Sequence, residues 1–227
     1  MKLLALETST DACSAALWCD GEILSRFQHA PRQHAEIILP MIGSLLDEAG
    51  ITFADVDVVA MGCGPGAFTG LRIAAGVTQG LAFAEKLPVV NVSTLTAVAQ
   101  RGWREFGVRK VLAGFDARLQ QVYWSACVLN DDDIMVPIGS ECVCSPEEIS
   151  LPDSDGWFGL GSAWTSFEDT LCKRLVKHCV SWEGNCYPDA TDIAVLGVQG
   201  FKEGKQISAD RVLPVYLRDN VAEKQSR

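Results

Sequence analysis

The chain has 227 residues, of which 48% are hydrophobic and 21% charged, and a formal net charge of −10. That length buries a good core as one large domain or two small ones, and the acidic balance argues against a protein that grips nucleic acid by itself, because phosphate contacts supply most of such affinity. The nine cysteines are odd in number and form no Cys-x-x-Cys pair, which argues against a zinc site and a disulfide framework and fits a reducing cytoplasm.

The N-terminal apolar run is too short for a signal peptide and is broken by Glu7, and no stretch approaches the length needed to cross a bilayer. Leu3 to Leu6 reads as a strand ending in the acid Glu7, followed by a polar turn, Thr8 to Asp11. Cys13 to Cys19 and Glu22 to Phe27 read as two strands joined at Asp20-Gly21, a hairpin signal. Gln33 to Ala49 reads as a helix stopped by Gly50 and bent at Pro40. Its stripe of Ile37, Ile38, Met41, Ile42, Leu45, Leu46 and Ala49 is wider than one buried face requires. Either the core covers all of it, or part is kept for a second molecule.

Val56 to Met61 reads as a buried strand, and it leads into Gly62-Cys63-Gly64-Pro65-Gly66-Ala67-Phe68-Thr69-Gly70. A glycine-rich turn between a strand and a helix N-terminus is a natural anion site. The spacing fits neither phosphate loop, because Gly70 is followed by Leu71 and Arg72 and the glycines do not run Gly-x-Gly-x-x-Gly. The other reading is a tight turn that packs a helix closely on its strand. In the helix from Thr69 to Glu85, Gly76 and Gly80 share one face, and each costs about 1 kcal/mol relative to alanine. A helix that accepts this cost is packed closely on its own sheet or on a partner.

The opening pattern then returns. Val111 to Phe115 reads as a strand ending in Asp116, Ala117 to Gln121 as a turn, and Val122 to Leu129 as a strand. Trp157 to Leu160 follows as a strand, with helices over Trp164 to Lys177 and Asp189 to Glu203. The repetition predicts two related α/β lobes, residues 1–105 and 106–227, the second ending in a tail that returns to the first. An acid from each lobe would face the cleft between them. This is the layout of the actin-like ATPase (ASKHA, ribonuclease H-like) fold. Members grip ATP phosphates with an acid-x-glycine turn, but here the turns are Glu7-Thr8-Ser9 and Asp116-Ala117-Arg118, with no glycine. Gly159-Leu160-Gly161-Ser162 reads as a remnant adenosine loop or an ordinary turn.

Five stretches carry a specific resemblance: Leu4-Ala5-Leu6-Glu7-Thr8-Ser9-Thr10, Gly64-Pro65-Gly66-Ala67-Phe68-Thr69-Gly70-Leu71-Arg72-Ile73, Val92-Ser93-Thr94-Leu95, Asp116-Ala117-Arg118 with Val122-Tyr123, and Pro214-Val215-Tyr216-Leu217-Arg218. With them the chain resembles the TsaB (YeaZ) family, the catalytically silent paralogues of the TsaD family. That family often has Asp where Glu7 stands and Ser where Ala67 stands. The resemblance implies a role in making threonylcarbamoyladenosine beside the anticodon of tRNA, as a required non-catalytic partner that scaffolds TsaD and TsaE. It implies pairing through the two helices at 33–49 and 69–85, with TsaD or with a second copy in a homodimer. The residues this assigns to partner binding are His34, Ile37, Ile38, Met41, Ile42, Leu45, Thr69, Leu71, Arg72, Ala75, Gly76, Gln79 and Gly80. Gly64, Pro65, Gly66 and Gly70 form the glycine loop, and Glu7, Thr8, Asp116 and Arg118 line a vestigial cleft.

TsaD-like enzymes hold a metal with a His-x-x-x-His pair. This chain has His29, His34 and His178 only, and no zinc-type set is built from them. The expectation is therefore no metal and no cofactor required by the chain, with room for ATP or ADP at the joint with its partners. It includes tRNA contact only through the complex, no membrane, and a cytoplasmic location. Two other readings stay open: an ATP-dependent small-molecule kinase or ATPase on the same fold, and a peptidase of the older glycoprotease label.

Overall fold

The computed structural model describes residues 1–150 and 153–218. Residues 219–227, the end of the expected tail, lie outside the described residues. In the first of two sheets, β1 (Lys2–Glu7), β2 (Ala12–Cys19) and β3 (Glu22–His29) run antiparallel. β4 (Val58–Gly64) and β5 (Val89–Ser93) join in parallel on the other side of β1, giving the order β3-β2-β1-β4-β5. In the second sheet β6 (Lys110–Asp116) takes the place of β1 and β7 (Val122–Leu129) that of β2. β8 (Met135–Pro137) and β9 (Cys142–Cys144) both pair with β7, while β10 (Trp157–Leu160) and β11 (Cys179–Glu183) extend the parallel side. The same strand order occurs twice, with Glu7 and Asp116 at matching strand ends. That is the two-lobed α/β fold the repetition predicts.

Helices fix the first sheet from both faces, which is why β1 is apolar at successive positions. Leu4 and Leu6 meet α1 (His34–Ala49) through Ile38, Ile42 and Leu45. Leu3 and Ala5 meet α6 (Ala190–Lys202) through the cluster that includes Ile193 and Ala194. α2 (Phe68–Glu85) covers the glycine end of β4 and lies beside α1, with Ile73, Val77 and Leu81 against the α1 stripe. α3 (Thr94–Phe106) sends Leu95, Val98 and Ala99 into the second sheet's core.

Two elements differ from the sequence expectation. The helix expected over 164–177 is two short ones, α4 (Ala163–Ser166) and α5 (Glu168–Arg174), because Phe167 leaves helical geometry at φ −130°. The helix after Asp189, read with the second half, packs on the first sheet. Gly197 and Gly200 let its backbone approach so closely that a Cβ would stand 2.6 Å from that of Ala60 and 2.8 Å from Val90. A cut at 105/106 therefore separates strands but not helices, since α3 and α6 exchange sheets. They are pinned where Arg104 reaches the fully buried Asp192 through Nε at 3.0 Å and Nη2 at 2.8 Å. Among the described residues no helix is long and apolar enough to cross a membrane.

Candidate functional site

The glycine loop is closed on the turn after β1. A Cβ on Gly70 would stand 1.9 Å from the Thr8 carbonyl oxygen, one on Gly66 2.6 Å from that of Ser9, and one on Gly62 1.7 Å from the Glu7 carboxylate. Gly64 sits at φ 119°, with the Val215 carbonyl 2.7 Å from where its Cβ would be. Hydrogen bonds fasten the two turns: the Ala67 N–H donates to the Ser9 carbonyl at 2.7 Å, and the Thr8 hydroxyl to the Gly70 carbonyl at 2.8 Å. Pro65 is buried here, its carbonyl accepting the Thr94 hydroxyl. Gly64, Gly66 and Gly70 thus make room for the chain's own backbone, and Gly62 for the Glu7 carboxyl.

Glu7 and Thr8 are fully buried under this loop and do not line the cleft assigned to them. One carboxylate oxygen of Glu7 accepts the Ser9 N–H, and the other has no hydrogen-bond partner among the described residues. Burial pushes the Glu7 carboxyl up from the ordinary 4.5 to about 7.

The second lobe's turn is open. A cavity of about 640 Å³ between the lobes is lined by Asp116, Arg118, Tyr123, Tyr187, Tyr216 and Arg218, with Ser9 from the first lobe. Asp116 accepts the Arg118 N–H at 2.8 Å and the Ser166 hydroxyl at 3.1 Å, so both its oxygens are engaged. Arg118, Leu119 and Gln120 follow one another at φ 64°, 51° and 56°, the left-handed region that L residues visit at a cost. Arg118 holds by strain a conformation in which glycine sits freely.

The helix faces separate the residues assigned to partner binding. Thr69, Arg72, Gly76 and Gly80 are exposed along one side of α2, and a Cβ on either glycine would meet nothing within 4 Å. Ile37 and Met41 are half-buried at the α1–α2 seam. The other assignments are corrected by burial. Ile38, Ile42, Leu45, Leu71 and Ala75 are core residues, because the sheet and the neighbouring helix cover the inner part of the stripe. His34 is buried with its Nε2 3.2 Å from the Ala12 carbonyl. Gln79 turns inward and donates to the Val212 carbonyl at 2.9 Å. Sequence reading passed over Phe83, 77% exposed, and Leu39, 52% exposed. Phe83 lies seven residues after Gly76, and that helical spacing was the signal available. The described residues bring together no group of three His, Cys, Asp or Glu side chains fit to hold a metal.

The chain is similar to known proteins over nearly its whole length. A family model described as "TsaD: tRNA N6-adenosine threonylcarbamoyltransferase" matches residues 27–226. The Escherichia coli protein named tRNA threonylcarbamoyladenosine biosynthesis protein TsaB is 40% identical, over 99% of this chain and 97% of its own. The Haemophilus influenzae protein of the same name is 37% identical, over 99% and 96%. The solved structure of YeaZ from Pseudomonas aeruginosa is 45% identical, covers 95% of this chain and 99% of its own, and superposes with a TM-score of 0.88.

Proposed function

Because the chain belongs to the TsaB (YeaZ) family and takes part in tRNA threonylcarbamoyladenosine biosynthesis, we propose that it acts there as a non-catalytic partner of a TsaD-family enzyme, docking through the outer faces of α1 and α2. One observation carries this reading. Gly76 and Gly80 each weaken α2 by about 1 kcal/mol, and nothing among the described residues uses their smallness. A partner helix lying flat on that face does use it. Exposed Phe83 on the same face of α2 and exposed Leu39 on α1 supply apolar surface.

In this reading TsaE joins the pair, an ATP or ADP sits at the joint, and tRNA is gripped mainly by the partner. The chain needs no cofactor of its own, works in the cytoplasm, and pairs with a second copy through the same faces when alone. The test is Gly76→Arg. Melting temperature should hold or rise slightly, because the site is open and arginine is the better helix former, while affinity for the TsaD-family enzyme falls about 100-fold. A variant that still pairs and still supports the modification overturns the assignment.

The cavity beside Asp116 favours a second reading, a small-molecule kinase or ATPase in which Asp116 orients metal–ATP. Calorimetry on the isolated chain decides it: no binding at millimolar ATP removes this reading.

A further inference from the structure

Residues 212–218 run alongside α2 in the opposite direction. The Gln79 amide donates to the Val212 carbonyl at 2.9 Å, the Val215 N–H donates to the Cys63 carbonyl at 2.7 Å, and the Tyr216 ring lies 5.6 Å from that of Phe68 at the start of the helix. Arg72 ties this end together, its guanidinium 4.1 Å above the Phe68 ring and its Nε donating to the Tyr216 hydroxyl at 3.4 Å. Held this way, the segment presents apolar surface beside the free face of α2, with Leu213 65% and Tyr216 43% exposed, next to Phe68 at 52%.

Beyond Tyr216 the segment crosses to the other lobe. Arg218 donates to the Ala117 carbonyl at 3.1 Å and to the Gln121 side-chain oxygen at 2.6 Å. It thereby grips the turn with three successive left-handed residues, which forms one wall of the cleft. A turn of that kind relaxes unless its surroundings hold it.

We propose that α2 and residues 212–218 form one docking surface, and that Arg218 links a partner seated on it to the conformation of the 117–121 turn at the cleft. The inference rests on the docking reading above and takes the same occupant, a TsaD-family enzyme. The chemistry asked of it is an apolar helix face with a carboxylate opposite Arg72, an exposed cation of this acidic chain. Such a partner buries Leu213 and Tyr216 only while the segment lies flat on α2, so it binds the latched form better than the unlatched one. By linkage, its binding holds the 117–121 turn in its left-handed conformation, and losing the latch weakens its binding by the same factor.

Amide hydrogen exchange and calorimetry with the purified TsaD-family enzyme test this. In the wild-type chain, saturating partner should slow exchange across residues 117–121 about tenfold, although that turn lies in the other lobe. Arg218→Ala should abolish the slowing and lower partner affinity about tenfold. Gln121→Ala, which removes the other half of the latch and leaves the segment's chemistry intact, should act in the same direction. Exchange at 117–121 that ignores the partner, or variants that bind within roughly twofold of wild type, overturn the coupling while leaving the docking reading in place. A wild-type chain that binds no TsaD-family enzyme overturns both.

Discussion

The turns after β1 and β6 stand at matching places in two sheets of the same strand order, yet they have opposite surroundings. The first, Glu7-Thr8-Ser9, is roofed by the glycine loop and the start of α2, and its acid is buried and held near neutrality. The second, Asp116-Ala117-Arg118, faces a cavity, and its acid is engaged by a backbone N–H and a serine hydroxyl. A scaffold suited to gripping a ligand from both sides has one grip closed by its own backbone. The closure fixes the first turn of α2 against β1, which makes the exposed side of that helix a rigid platform. Openness in the second lobe leaves a turn that Arg218, from a distant segment, holds.

The comparison breaks most sharply at Gly70. A Cβ there would lie 1.9 Å from a backbone oxygen, and neither backbone moves without dislodging the glycine loop. Gly70→Ala should cost about 4 kcal/mol or more, or prevent folding, although alanine is the better helix former. Urea denaturation measures it. A loss below about 1 kcal/mol would mean that the first turn has room after all and is no more closed than the second.

Glu7 gives the next largest effect. In the folded chain its carboxyl stays protonated up to about pH 7, whereas in the unfolded chain it ionises near 4.5. Between those values the folded state holds the extra proton, so this group's contribution to stability is full below about 4.5 and is lost as pH rises to about 7. Glu7→Gln keeps an acceptor oxygen for the Ser9 N–H and removes the buried charge. It should raise stability at pH 8 by up to about 3 kcal/mol, and should flatten the decline between pH 5 and 7 by about one proton. Equal pH slopes in variant and wild type would show that solvent reaches the carboxyl.

Much of this was legible in the sequence, for definite reasons. Glu7 and Asp116 announce themselves because each ends an apolar run and opens a polar turn, and the repetition of that signal carries the two-sheet topology. The free side of α2 shows through Gly76 and Gly80, since a helix rarely carries two such costs on one face unused. Burial of the α1 stripe was not legible. Nothing local separates Ile38 from Ile37, and the difference is set by where α2 lies. Nor did the sequence reveal that Glu7 sits beneath a loop from more than fifty residues away, or that α6 crosses back to the first sheet. Those outcomes depend on close backbone approaches at Gly62, Gly70 and Gly197, and a glycine does not say what it approaches.

The smallest effect tests the open turn itself. Arg118 is left-handed at φ 64°, whereas Ser9, at the matching position of the closed turn, is not among the left-handed residues. Arg118 is exposed, and its own amide is held by Asp116 whichever side chain it carries. Arg118→Gly therefore relieves a backbone penalty of about 1 kcal/mol or slightly more, while glycine adds about 0.5–1 kcal/mol of freedom to the unfolded chain. The balance should be a gain of about 0.5 kcal/mol, read as a small rise in denaturation midpoint. A loss of that size or more would show that the arginine side chain braces the turn. The strain would then belong to a held structure in both lobes, and the contrast between a closed turn and an open one would rest on Glu7 and Gly70 alone.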